Sequence, residues 1–196
     1  MMNHSVSRAG DELDDIAKDD RGRRAACLHI VGRKNSGKTT LIVDLVRELL
    51  GRGLRVGTIK HTHHHHELDT PGKDSFRHRQ AGASAVGIIS PAMDAIFFPR
   101  DRDQETPSRL DSMTRLLGDC DVVLIEGGLS GPGRKIEVWR DELAQPPLAL
   151  HEPSISAIVT DDPLPVEKGR TVWDRTDIAK LADSILKSMQ DTSRTE

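Results

Sequence analysis

The run from Gly32 to Thr40 constrains the fold of this chain more than any other feature of its sequence. It reads G-R-K-N-S-G-K-T-T and so contains the spacing G-x-x-x-x-G-K-[ST]. An apolar segment, ACLHIV, precedes it, and a segment with apolar residues at helical spacing follows it. A glycine-rich loop between a buried strand and a helix is the phosphate-binding loop of α/β nucleotide-binding proteins, the Walker A pattern. The run therefore predicts binding of a nucleoside triphosphate.

Each part of such a loop has an expected chemical role. Glycines let the backbone approach the phosphates, and the N–H groups at the start of the helix point at them. Lys38 is expected to bridge the β- and γ-phosphates, and the Thr39 hydroxyl to bind Mg²⁺. Arg33 and Lys34 add two cations that can neutralise charge during transfer. The nucleotide-binding residues predicted in the loop are Gly32, Arg33, Lys34, Asn35, Ser36, Gly37, Lys38, Thr39 and Thr40.

A second apolar segment offers a carboxylate for the same site. Val122–Ile125 is uninterrupted apolar sequence, and Glu126 follows it directly, before two glycines. Such strands lie in the middle of a sheet, and α/β sheets bind ligands at the carboxyl ends of their strands. Glu126 is therefore predicted to hold Mg²⁺ or its waters together with Thr39, and Lys38 and Glu126 are the predicted catalytic residues. The open alternative is that Glu126 only caps a loop.

The whole pattern predicts an α/β fold, a three-layer P-loop NTPase with a mostly parallel central sheet flanked by helices. Residues 1–24 are predicted to be a flexible extension, 25–190 the nucleotide-binding domain and 191–196 a frayed tail. The predicted strands are 26–31, 54–60, 85–89, 94–98, 122–125, 136–139 and 155–159. The predicted helices are 39–50, 73–81, 107–117 and one that carries the apolar residues from Ile178 to Met189.

Charge and cysteine content limit the classes of partner. The net charge is −3, from 28 Lys and Arg against 31 Asp and Glu, so no overall field attracts nucleic acid or an acidic membrane. No apolar run approaches the ~20 residues that span a bilayer. Cys27 and Cys120 each lie in or beside an apolar run, which favours a reduced compartment. We expect a cytoplasmic protein without nucleic-acid or membrane partners.

The segment from Lys60 to Ala83 is rich in histidine and reads KHTHHHHELDTPGKDSFRHRQAGA. His61 and His63–His66 suggest a zinc or nickel site, because imidazole is a common ligand of both metals. Consecutive histidines on an extended segment alternate between two faces, so only some of them can converge on one ion. A solvated polar loop with phosphate contacts is the favoured interpretation.

Four segments together resemble one family: GRKNSGKTTL, the histidine-rich block just quoted, DVVLIEGG and KIEVWR. They are similar to the MobB family, the molybdopterin-guanine dinucleotide biosynthesis adaptor proteins, over residues 25–160. The resemblance implies a GTP-binding protein, usually dimeric, with at most weak GTPase activity. Its implied partner is the molybdenum cofactor guanylyltransferase of the MobA type, which joins GMP to molybdopterin. Molybdopterin itself is a second candidate ligand.

The resemblance also implies roles for particular residues. GTP would occupy the loop at Gly32–Thr40, with Thr39 and Glu126 near Mg²⁺. A second loop would face the nucleotide, formed by Pro71, Gly72, Lys73 and Asp74. A further polar set without an assigned role comprises Lys135, Glu137 and Arg140.

The residues that read the base are not evident, because the N-K-x-D element of many GTPases is absent. The segment AIVTDD, 157–162, lies at a plausible edge for the base. Asp161 or Asp162 there could accept hydrogen bonds from the guanine N1–H and amino group. A plain surface turn before Pro163 is the other interpretation.

Two other functions remain open at this point. The first is a metallochaperone GTPase that uses the His61–His66 loop. The second is a small-molecule kinase with a lid that carries Arg100, Arg102 and Arg109, although their polar surroundings favour a simple connection. No positioned glutamine or arginine finger is recognisable, so we expect binding of the nucleotide and not rapid turnover.

Overall fold

A computed structural model describes residues 25–62, 67–99, 106–164 and 170–190. The predicted extension at 1–24, the predicted tail at 191–196, His63–His66 and the segment 100–105 lie outside the described residues. The chain divides into two compact units. The first contains the residues up to His61 and those from Leu110 onward, and the second runs from Thr62 to Arg109.

The first unit contains a six-stranded parallel sheet. In chain order, its strands are β1 (Ala26–Val31), β2 (Val56–Lys60), β5 (Val122–Glu126), β6 (Lys135–Val138), β7 (Ile155–Thr160) and β8 (Thr171–Asp174), and β3 and β4 belong to the second unit. Their order across the sheet is β2-β5-β1-β6-β7-β8, and every neighbouring pair is parallel. All six carboxyl ends therefore lie at one edge of the sheet, where α/β proteins bind their ligands.

The described helices of the first unit are α1 (Lys38–Gly51), α4 (Ile178–Gln190) and the part of α3 (Thr106–Leu116) from Leu110 onward, while α2 (Asp74–Gln80) belongs to the second unit. Helix α1 buries Leu41, Leu45 and Leu49 in the same cluster as Leu181 and Ile185 of α4. These side chains repeat every three to four residues, so each helix presents one apolar stripe to the sheet. None of the described helices is long and apolar enough to cross a membrane.

The opposite face of the sheet carries a second, smaller apolar cluster around Trp139. Trp139 is almost fully buried with Val31 and Ile158, and its indole N–H donates to the Gln145 carbonyl at 2.8 Å. Strand residues alternate between the two faces, which explains why Ile30 and Val31 belong to different clusters. The predicted fold class, a mostly parallel sheet with flanking helices, is confirmed.

The second unit contains α2 (Asp74–Gln80) and an antiparallel hairpin of β3 (Val86–Ile89) and β4 (Asp94–Phe97). Val86 is buried, and Arg79 of α2 lies 5.1 Å from the ring centre of Phe76. Other apolar side chains of this unit are exposed, among them Leu68, Ile89, Met93, Ile96 and Phe98. Within this unit, the hairpin is therefore only partly covered.

The predicted strands and helices are all present, with ends within two residues of those expected. Strand β8 and the short 3-10 helices Asp141–Leu143 and Leu148–Leu150 were not predicted. Strand β8 has four residues, T-V-W-D, and in the described part of the chain it pairs only with β7, so its sequence carries little alternation from which to recognise it. The adjacent Val172 and Trp173 are the one local signal of a strand.

Candidate nucleotide-binding site

The glycine-rich loop joins β1 to α1 through three residues with positive φ: Gly32 at 141°, Asn35 at 65° and Gly37 at 91°. A Cβ on Gly32 would lie 2.5 Å from the Val138 carbonyl oxygen and 2.8 Å from the Ser36 hydroxyl. Glycine is therefore needed at position 32 both for its backbone conformation and for space. The first N–H groups of α1, which follow this loop, have no acceptor within the helix and are the usual donors to an anion at such a site.

Lys38 folds back over this loop. Its ammonium group donates to the carbonyl oxygens of Gly32 at 2.9 Å and Arg33 at 2.6 Å. Burial lowers the pKa of Lys38, the carboxylate of Glu126 acts in the opposite direction, and Lys60 lowers the pKa further. The amine is thus held against the loop, at the position where the sequence predicts a phosphate chain.

Thr39 and Glu126 meet although 87 positions separate them in the chain. The Thr39 hydroxyl lies 3.1 Å and 3.0 Å from the two carboxylate oxygens of Glu126, and Lys60 Nζ is 3.5 Å from Oε1. The register explains this meeting, because Glu126 is opposite Ile30 on β1 and opposite Lys60 on β2. A hydroxyl and a carboxylate are hard oxygen ligands that fit Mg²⁺, which usually takes few protein ligands and completes its shell with phosphates and waters.

The turn after Glu126 is held by two histidines. Gly127 and Gly128 have φ values of 90° and 76°, and His29 Nδ1 is 3.0 Å from the Gly127 carbonyl oxygen. A Cβ on Gly128 would lie 2.9 Å from His29 Nδ1 and 3.2 Å from His61 Nδ1. Burial lowers the pKa of His29, against the effect of its hydrogen bond to Gly127. His61 thus packs on this turn, a position that its histidine-rich sequence context does not indicate.

Lys135 and Glu137 are buried on β6. Glu137 accepts hydrogen bonds from the backbone N–H groups of Leu148 and Ala149, both at 2.8 Å. Burial raises the pKa of Glu137, and these two hydrogen bonds oppose that shift. Glu137 therefore holds the start of the 3-10 helix at Leu148, while Arg140 is partly exposed and lies 4.0 Å from Glu142.

The predicted second loop lies in the second unit, where Pro71, Gly72, Lys73 and Asp74 are all exposed at the start of α2. Asp69 shapes this loop from within, because its buried carboxylate accepts from the Thr70 N–H at 2.8 Å and the Ser75 hydroxyl at 2.9 Å. That the loop faces the nucleotide stays a prediction.

An open cavity of about 450 Å³ lies at the carboxyl ends of β7 and β8. Its lining consists of Thr160, Asp161, Asp162, Pro163, Val172, Asp174 and Thr176. Asp162 has structural partners: its carboxylate accepts from the Asp141 N–H at 2.9 Å, and its own N–H donates to the Thr160 hydroxyl at 3.0 Å. Asp161 is exposed, which makes it the better placed of the two aspartates for a ligand.

Sequence reasoning missed one further residue at the loop, Arg175. It follows β8, is only 9% exposed, and its guanidinium Nη1 lies 2.8 Å from the position of a Cβ on Gly37. Nothing in the local sequence D-R-T-D marks this arginine, because only the pairing of β8 with β7 brings it to the loop. Among the described residues, no three or more His, Cys, Asp or Glu side chains converge as a metal site.

The chain is similar to proteins of one family. A family model described as Molybdopterin guanine dinucleotide synthesis protein B, MobB, matches residues 27–161. A molybdopterin-guanine dinucleotide biosynthesis adapter protein of Haemophilus influenzae is 36% identical, with 81% of this chain and 86% of the relative covered. One of Escherichia coli is 33% identical, with 79% and 88% covered.

A solved structure is similar in fold as well as in sequence. The crystal structure of a molybdopterin-guanine biosynthesis protein B superposes with a TM-score of 0.62 at 31% identity. The superposition covers 84% of this chain and 99% of that one. The similarity therefore extends over nearly the whole of the solved protein.

Proposed function

Because the chain belongs to the MobB family of molybdopterin-guanine dinucleotide biosynthesis adapters, we propose that it binds GTP with Mg²⁺ and assists a partner nucleotidyltransferase. The partner would be the molybdenum cofactor guanylyltransferase that attaches GMP to molybdopterin, and molybdopterin is a second candidate ligand. We propose binding, with weak GTPase activity at most, as its main role. Lys38 and Glu126 are the residues that any hydrolysis would use.

One observation carries this proposal: the Thr39 hydroxyl, the Glu126 carboxylate and the loop-bound Lys38 ammonium lie together at the carboxyl edge of the sheet. Lys38 would exchange its loop carbonyls for the β- and γ-phosphates, which are stronger, charged acceptors. Thr39 and Glu126 would hold Mg²⁺, directly or through its waters, and the ion would neutralise charge on the phosphates. The remaining loop residues would contribute backbone N–H groups.

The proposal is tested by equilibrium dialysis of the full chain with labelled GTP and ATP, each with and without Mg²⁺. We expect retention of GTP that depends on Mg²⁺ and exceeds retention of ATP. A preference for ATP would overturn the assignment of guanine as the base. Retention of neither nucleotide would overturn the proposed function as a whole.

The Mg²⁺ role of Glu126 leads to a separate prediction. Replacing Glu126 with glutamine is expected to weaken Mg²⁺-dependent GTP binding roughly 10- to 100-fold, because the neutral amide loses the charge that attracts the metal. Calorimetric titration of the protein with Mg²⁺, at a constant concentration of GTP, measures this effect. Glu142→Gln is the matched control, since Glu142 is 85% exposed and also loses one carboxylate. A Glu126 variant that needs no more Mg²⁺ than this control would contradict the role.

Contact with the partner enzyme is expected to depend on the nucleotide. A pull-down of the purified guanylyltransferase by the wild type and by Lys38→Ala, each with and without GTP, compares the relevant states. We expect GTP to change capture by the wild type only. Equal capture in all four samples would exclude a nucleotide-controlled adapter.

We also propose a homodimer in which two copies meet through the β3–β4 hairpin. Ile89 is 90% exposed, Met93 72% and Ile96 54%, and among the described residues β3 and β4 pair only with each other, so each has an outer edge for a further strand. Replacing Ile89 and Ile96 with glutamate should convert the protein to a monomer, as measured by light scattering after size exclusion. Leu50→Glu is the control, because Leu50 is 54% exposed in the first unit. A doubly substituted protein that stays dimeric would contradict this interface.

Cys27 and Cys120 form no disulfide with each other. We propose the cytoplasm, where thiols stay reduced, as the location of the protein.

A further inference from the structure

Arg175 occupies a defined position at the carboxyl edge of the sheet. It directly follows β8, and its backbone N–H donates to the Thr160 carbonyl at 3.3 Å, which extends the pairing of β7 and β8 by one residue. Asp174 and Thr176, its neighbours in sequence, both line the cavity at the ends of these strands. Arg175 therefore lies between that cavity and the phosphate loop.

The guanidinium group of Arg175 is directed at the start of α1. From the position of a Cβ on Gly37, Nη1 is 2.8 Å away, and Cζ and Nη2 are both 3.5 Å away. Gly37 is the N-cap residue of this 14-residue helix, so the group lies beside the helix end that carries partial positive charge. Two positive groups at this distance repel each other unless an anion lies near both.

One nitrogen of the Arg175 guanidinium has no acceptor among the described residues. Arg175 Nη1 is buried without a hydrogen-bond partner there. The carboxylates closest in sequence have other partners: Asp174 accepts from the Thr176 N–H and hydroxyl at 2.7 Å and 2.6 Å, and Asp177 pairs with Lys180 at 3.1 Å. A buried N–H donor without an acceptor is costly, because it has lost its hydrogen bonds to water without replacing them.

We propose that Arg175 is a phosphate-binding residue of the nucleotide site, an assignment that rests on the proposed function. A guanidinium offers parallel N–H donors that match two phosphate oxygens, and a phosphate beside Gly37 would interact with both the arginine and the helix end. The loop contains another unsatisfied donor of the same kind, because Arg33 Nε is also buried without a partner among the described residues. A bound phosphate chain would supply acceptors to this region.

The test is calorimetric titration of wild type, Arg175→Met and Arg175→Lys with GTP, GDP and guanosine in the presence of Mg²⁺. We expect Arg175→Met to weaken GTP and GDP binding roughly 10- to 100-fold, the loss typical of one charged hydrogen-bonding group, and to leave guanosine unchanged. Arg175→Lys should recover part of the loss by restoring the charge. Lys180→Met removes one positive charge from an 84% exposed side chain nearby and should bind as the wild type does.

Thermal unfolding separates phosphate binding from a purely structural role. Without nucleotide, Arg175→Met should melt at the same temperature as the wild type or higher, because the unsatisfied buried donor is gone. With GTP, its melting temperature should rise less than that of the wild type. A Met variant that is destabilised without nucleotide, yet gains as much from GTP as the wild type, would make Arg175 a structural residue.

The outcomes distinguish this assignment from the proposed function. If the wild type and Arg175→Met bind GTP equally, only the assignment of Arg175 is wrong. If Arg175→Met weakens guanosine as much as GTP, the arginine contacts the nucleoside and the phosphate assignment is wrong. If the wild type binds neither GTP nor ATP, the proposed function fails, and the assignment fails with it.

Discussion

Replacing Lys38 with alanine is expected to weaken GTP binding by about 100-fold or more and to leave the affinity for guanosine unchanged. The ammonium group lies against the loop through the Gly32 and Arg33 carbonyl oxygens, so it is already in place for a phosphate chain. Removing one partner of a partly buried charged hydrogen bond costs roughly 2–5 kcal/mol, because the other charge loses its compensation. Calorimetric titration with GTP, GDP and guanosine measures how much affinity the variant loses for each ligand.

Lys180→Ala is the matched control for this prediction. Lys180 lies on α4, outside the loop, and is 84% exposed, so its loss removes equal charge at a site screened by water. We expect this variant to bind GTP within a few-fold of the wild type. If Lys38→Ala weakened guanosine binding as strongly as GTP binding, Lys38 would support the shape of the site without contacting phosphate.

Gly32→Ala is expected to destabilise the folded protein by about 2–4 kcal/mol and to abolish GTP binding. The backbone φ of 141° disfavours any side chain at this position, and the new Cβ would lie 2.5 Å from the Val138 carbonyl oxygen. That oxygen belongs to β6 in the middle of the sheet, so the loop must move away from it. Urea denaturation measures the free energy of unfolding, and equilibrium dialysis measures the binding.

Gly53→Ala is a control that separates the two causes of the lost stability, the unfavourable backbone φ and the steric overlap of the new Cβ. Gly53 also has a positive φ, 80°, but a Cβ there would meet no atom within 4 Å. Its replacement should cost only about 1–2 kcal/mol, the usual penalty for an ordinary residue in the left-handed region, and should leave GTP binding intact. A Gly32 variant no less stable than this control would show that the loop accommodates a side chain by local movement.

The local part of the candidate site could be predicted because its residues are neighbours in the chain. Gly32, Gly37, Lys38 and Thr39 belong to one loop, and a loop between a strand and a helix brings them together through local geometry alone. The role of Glu126 could also be predicted from the sequence, but for a different reason. It follows an apolar strand, and parallel pairing brings the carboxyl ends of such strands to one edge.

Other parts of the site depend on long-range contacts that leave no local signal. Glu137 belongs to a polar set whose role was unassigned, and it proves to hold the backbone at Leu148 and Ala149. Asp161 and Asp162 were equivalent in sequence, and they differ because the Asp162 carboxylate accepts the Asp141 N–H. In each case the partner lies at least 11 positions away on another element. Sequence spacing therefore could not distinguish a structural carboxylate from one available to a ligand.

The sequence by itself determined the glycine-rich loop between β1 and α1, the apolar strand that ends at Glu126, the parallel α/β class and the family, because each depends on local spacing or on periodic burial. Only the tertiary structure decided that Arg175 lies against Gly37, that His29 and His61 hold the turn after Glu126, and that β8 completes the sheet. The physical reason is that burial and pairing of these side chains depend on strands distant in the chain, and short edge strands such as β8 gain their structure from their neighbours.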